Sequence, residues 1–126
     1  MTPLLFVLVS VAGGLGAACR LLVDGALRPL SKRMPAGTWV VNVSGSLLLG
    51  LLTGLAIAGT LPAEWHLVLG AGFLGGYTTF STASFETVRM LQQRRPLAAV
   101  ANGLGMLAAS TLAAGLGLWA GALIAG

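Results

Sequence analysis

Four windows free of charged side chains, Met1–Cys19, Met34–Ala63, Trp65–Phe85 and Pro96–Gly126, take up almost the whole chain. Each is close to or above the ~20 apolar residues that carry an α-helix across a bilayer. Inside lipid the backbone must satisfy its own polar groups, which a helix does. The sequence therefore predicts an all-α membrane protein of four transmembrane helices, at about 3–26, 37–60, 64–91 and 96–124, in one domain spanning 1–126. Only 8% of the residues are charged against 56% hydrophobic, too little charge for a soluble domain of this length. The first window has no basic residue before Arg20, so it reads as a span and not as a cleaved signal.

The third window is unusual for a lipid-facing helix. Gly70, Gly72, Gly75 and Gly76 are followed at once by Thr78, Thr79, Ser81, Thr82 and Ser84. Glycine loosens a helix, and carbonyls freed at membrane depth persist only where protein or water satisfies them. A glycine-interrupted span points to an ion or substrate site, so helix 3 is expected to break near its centre. In helix 2, Thr38, Asn42, Gly45 and Ser46 fall on one face. The Asn42 amide needs a partner or water there. In helix 4, Asn102 and Ser110 lie two turns apart on one face, with Met106 between them. The small residues Gly13–Ala18 and the pairs Gly50/Gly54 and Gly117/Gly121 read as close helix packing. Arg20 and Asp24 stand four apart, within reach of each other along helix 1.

All seven basic residues fall on one side. Arg28, Lys32 and Arg33 occupy the first connection, Arg89, Arg94 and Arg95 the third, and Arg20 the same end of helix 1. Positive charge near span ends sets orientation. The chain is thus expected in the cell membrane with both termini external and loops 28–36 and 89–96 cytoplasmic. The excess of cations is read as this bias, with no nucleic-acid partner. The single cysteine excludes an intrachain disulfide and a thiolate metal cluster. No Ser–His or Asp–His set suggests an enzyme. Proton coupling would need a titratable group at mid-depth, whereas Asp24, Glu64 and Glu86 lie near span ends. Passive conduction remains. The Asn42 amide, the hydroxyl run and the electropositive ring edges of Phe80 and Phe85 can all face an anion without trapping it by full charge.

Three motifs on three successive spans, Gly13-Gly-Leu-Gly-Ala-Ala-Cys-Arg20, Gly37-Thr-Trp-Val-Val-Asn-Val-Ser-Gly45 and Gly72-Phe-Leu-Gly-Gly-Tyr-Thr-Thr-Phe-Ser-Thr82, carry a resemblance that covers essentially the whole chain. The sequence resembles the CrcB-type (Fluc) fluoride channels. That resemblance implies passive, fluoride-selective export through an antiparallel dimer with two pores. It makes Asn42 the pore asparagine and Phe80 the first of two pore phenylalanines. Thr79, Ser81 and Thr82 would form a polar track, with Ser110 joining the fluoride path. Arg20, Gly45 and Gly76 are read as structural. A sodium ion, structural and not transported, would be held by the backbone carbonyls of Gly75 and Thr78 from both subunits. Two positions depart from the family pattern. Ala83 stands where the second phenylalanine is usual, and Phe85, five residues after Phe80, lies about 140° round the helix from that ring and cannot simply replace it. Met106 replaces a small hydroxyl residue. The one-sided charge also argues for one-way insertion. The dimer partner is then either a second copy or a homologous chain of opposite charge bias, making this chain one half of a heterodimer. The alternatives are a four-span exporter of the small multidrug type and a non-conducting assembly subunit.

Overall fold

The computed structural model describes all residues, Met1–Gly126, and is built of helices without a strand. Helix α1, Pro3–Ala26, opens on Thr2, whose hydroxyl accepts the Leu5 N–H at 3.1 Å, with Pro3 preset for the first turn. A 3₁₀ turn, Arg28–Leu30, leads through Pro35 into α2, Ala36–Ile57. The sequence suggests that α2 runs to Thr60, but the helix stops at Ile57. Gly59 takes φ +80°, and the Gly59 and Thr60 N–H groups turn back to the carbonyls of Ala56 and Leu55. This is a Schellman turn with the expected glycine.

The next segment begins as the short helix α3, Ala63–His66, and widens into a π-helical stretch, Leu67–Leu74. It continues as α4, Gly75–Tyr77, and after a gap as α5, Ser81–Gln92. Helix α5 also closes in a Schellman turn, with Arg94 and Arg95 donating to Leu91 and Met90. Here the left-handed residue is Arg94, at φ +58°, where glycine is usual. Pro96 then starts α6, Pro96–Ala125. Helices α1, α2 and α6 are each long and apolar enough to cross a membrane. Only 20 of the 126 residues are buried, and exposed Leu, Val and Phe side chains run along these helices, so the exterior is as apolar as the interior.

Glycine decides how the long helices meet. On α2, Gly50 and Gly54 lie against the backbone carbonyls of Ala114 and Leu118 on α6. In return, Gly117 and Gly121 of α6 lie against those of Leu47 and Leu51. A Cβ at any of the four would enter the neighbour's backbone, so the two helices touch main chain to main chain. Helix α1 packs the same way on the third segment, with Gly16 against the Phe73 carbonyl and Gly76 against that of Gly13. At one end of the bundle Arg95 Nη2 donates to the Arg33 carbonyl at 2.8 Å, joining the two basic connections. At the other, Thr53 Oγ1 and His66 Nε2 are 3.0 Å apart.

Candidate ion-path site

The helical path is interrupted at Thr78–Phe80. Thr78 closes the preceding turn through its N–H and its hydroxyl, both donating to the Leu74 carbonyl at 2.9 Å. Its own ψ of 161° then carries the chain out of the helix. Thr79 is caught from both sides by one side chain. Its N–H donates to Asn42 Oδ1, and its carbonyl accepts from Asn42 Nδ2, each at 2.8 Å. The amide has the one acceptor and the donor that an orphaned peptide group needs. Thr79 in turn starts α5, its hydroxyl accepting the Thr82 N–H at 3.1 Å.

This exchange of partners has a second effect. In a continuous helix the Thr79 N–H would close on the Gly75 carbonyl, and the Thr82 N–H on that of Thr78. Here one N–H goes to Asn42 and the other to the Thr79 hydroxyl. The carbonyls of Gly75 and Thr78 therefore have no i+4 donor. Reading the sequence assigns the loosening to the glycines. In the structure Gly72 and Gly76 lie in helical segments against α1, Gly72 meeting Val9 and Ala12. The interruption falls after them, at β-branched Thr78, and it is stabilised by Asn42.

A groove of about 860 Å³ runs beside this point, lined by α2, the third segment and α6. Asn42, Gly45, Thr78, Thr79, Phe80 and Ser110 all border it. Phe80 is 87% exposed, standing on the groove with almost no cover from its own chain. Met106 Sδ lies 3.2 Å from Asn42 Nδ2, and one turn on the Ser110 hydroxyl is buried without a partner. Gly75 and Ala83 both border the groove, with Gly75 exposed, while Gly45 lies against the Thr78 methyl. Gly76 is turned away, toward α1. No carboxylate borders the groove, and His66 is its one histidine.

On the other side of Thr79 sits a small cavity of about 60 Å³, lined by Arg20, Asp24, Thr38 and Thr82 among others. The Arg20 Nε is buried there with no hydrogen-bond partner. Thr79 borders both spaces, and Ser81 Oγ is 3.5 Å from its hydroxyl. Thr79 thus lies between the groove and the Arg20 cavity, whereas Thr82 lines the cavity alone and Ser81 borders neither. Phe85 is exposed but does not border the groove. No group of three or more His, Cys, Asp or Glu side chains comes together to hold a metal, so the free backbone oxygens are the available ligands.

Several polar partners could not be paired from sequence. Thr38 donates to Glu86 Oε1 at 2.6 Å, and Ser44 pairs with the Tyr77 hydroxyl at 3.1 Å. Asn102, fully buried, accepts from Trp39 Nε1 at 2.8 Å and donates to Thr87 Oγ1 at 2.9 Å. The position of Thr38 on the Asn42 face hinted at the first of these. Nothing in the spacing of Trp39 or Asn102 pointed to the other.

Comparison with known proteins shows the family. Residues 7–118 match the family described as CrcB-like protein, Camphor Resistance (CrcB). The chain is 56% identical to the fluoride-specific ion channel FluC 1 of Leifsonia xyli, covering 98% of this chain and 90% of that protein. It is 49% identical to FluC 1 of Symbiobacterium thermophilum, over 82% of this chain and 90% of the relative. It is 47% identical to FluC of Syntrophotalea carbinolica, over 90% and 94% respectively. With the family match running nearly end to end and identities this high, the chain belongs to the CrcB family of ion channels.

Proposed function

We propose that this chain is a subunit of a passive, fluoride-selective channel that lowers cytoplasmic fluoride. The observation that carries the reading is the hold of Asn42 on Thr79, which keeps an irregular stretch of backbone and its hydroxyls beside an open groove. The names of the relatives supply the ion. On this reading the segment from α3 to α5 is the third of four spans, with both termini external and the basic connections cytoplasmic. Phe80, Thr79, Ser81, Thr82 and Ser110 line the path with Asn42. Donors of this kind replace the hydration of a small anion without binding it by full charge. The exporter alternative finds no support, since no carboxylate faces the groove to couple a proton.

The groove calls for a second subunit. An 87% exposed phenylalanine and a path walled on one side make sense when an antiparallel partner closes the other. The unpaired carbonyls of Gly75 and Thr78 fit a sodium ion shared across that interface, since such an ion takes neutral oxygen ligands. It would fix the two subunits together and would not be conducted. Ala83 and the one-sided basic residues favour a homologous partner of opposite bias, which would bring the second phenylalanine.

Fluoride efflux from liposomes, read by electrode with chloride as control, tests the proposal. Fast fluoride-selective efflux that Phe80→Ile abolishes is the expected result, from this chain alone or with its oppositely biased homologue. Rescue by the homologue identifies a heterodimer. Silence in both preparations overturns the fluoride reading.

A further inference from the structure

The inner half of the third segment is attached in an uneven way. Helix α5 packs along α6, while its links to α2 are made by side chains. Asn42 holds Thr79, two residues before α5, and Thr38 holds Glu86 at the middle of α5. The remaining link is indirect. Trp39 Nε1 donates to Asn102 Oδ1 on α6, Asn102 Nδ2 donates to Thr87 Oγ1, and Thr87 donates to the Ala83 carbonyl at 2.8 Å. The relay thus ends on Ala83, next to Ser84 and three residues beyond Phe80, at the wall of the groove.

Resting on the channel reading above, we propose that Asn102 is a positioning residue for the ion path. It sets the rotation of α5, and so the direction of Phe80, Ser81 and Thr82, by reading α2 through Trp39. Three features support this. Asn102 is 0% exposed although it stands at the groove wall, so its amide is met by protein partners in this arrangement. Its oxygen accepts and its nitrogen donates, so only one orientation of the amide satisfies both neighbours. Thr87 gives its proton to the backbone of its own helix, so the relay has a fixed direction from Trp39 to Ala83. A buried chain of this kind specifies one arrangement when complete and is costly when one member is removed.

The test uses the chain in liposomes, with its homologous partner where conduction requires it, normalised to assembled protein measured by gel filtration. Asn102→Leu removes both bonds, Thr87→Val the acceptor, and Trp39→Phe the donor. Each is expected to lower fluoride efflux by about tenfold or more, as one lost buried hydrogen bond would if it governed the conducting arrangement. Thr87→Ser keeps the hydroxyl and is expected to restore efflux, and Trp39→Phe combined with Thr87→Val should cost less than the product of the two. Equal efflux per assembled channel in all three single variants, with only assembly reduced, would make Asn102 a packing residue and overturn the inference. So would a Thr87→Ser variant as slow as Thr87→Val. If the unmodified protein passes no fluoride, the channel reading fails first and the efflux series carries no meaning for Asn102. The relay is then judged by the Thr87→Ser and Thr87→Val pair in thermal unfolding alone, where equal stability overturns it.

Discussion

The α2–α6 interface and the α2–α5 interface share one helix and are built on opposite principles. Over the C-terminal half of α2, glycines bring its backbone into contact with α6 and no side-chain hydrogen bond is needed along Gly50, Gly54, Gly117 and Gly121, the Trp39–Asn102 bond lying nearer the other end of α2. Where α2 meets the third segment, polar side chains do the holding: Thr38 to Glu86 and Asn42 to Thr79. The first kind of contact is dense and unforgiving of volume. The second kind leaves space beside it and fixes direction. A path for an ion needs the second, and it needs the first nearby so that the scaffold does not move when the polar ties exchange.

The largest effect is expected at the glycine contact. Gly117→Leu would drive a branched side chain into the Leu47 carbonyl and the Leu51 amide. Overpacking without room to relax costs about 3 kcal/mol or more, and assembled protein should be lost on gel filtration in detergent. Next comes the polar latch. Asn42→Ala leaves the Thr79 N–H and carbonyl without partners, about 1–3 kcal/mol each if they stay buried. Assembly should survive with a lowered unfolding temperature, while fluoride efflux falls about a hundredfold, the equivalent of 2.8 kcal/mol on the conducting arrangement. If Asn42→Ala instead aggregates like Gly117→Leu, the contrast between scaffold and latch is wrong. The smallest effect is expected at the outer end, where Thr53→Val removes one bond to His66. Thermal unfolding should shift by about 1 kcal/mol or less, with efflux unchanged.

Much of this arrangement was legible in the residues. Uncharged windows located α1, α2 and α6, because in lipid a span must be both apolar and helical. The Thr38, Asn42 and Gly45 face of α2 was read correctly as one face, and all three residues turn toward the third segment. The role of the glycines was not legible. Gly72, Gly75 and Gly76 suggest a loose backbone, and only the position of α1 reveals that two of them are packing sites. The π-helical stretch had no signature, since its wider turn follows from neighbours and not from local propensity. Asn102 and Trp39 are 63 residues apart, and a hydrogen bond between them leaves no periodic trace.

The two Schellman turns end helices at opposite ends of the bundle, and they differ in one residue. Gly59 takes the left-handed conformation freely; Arg94 takes it at a cost of roughly 1–2 kcal/mol. On the proposed topology the turn between α5 and α6 belongs to one of the two basic connections, where positive charge near span ends sets orientation. Arg94 adds to Arg89 and Arg95 a charge that glycine, the usual residue at this position of the turn, would not bring. On that reading the folded molecule carries a small backbone strain so that the apex of the turn can bear a positive charge.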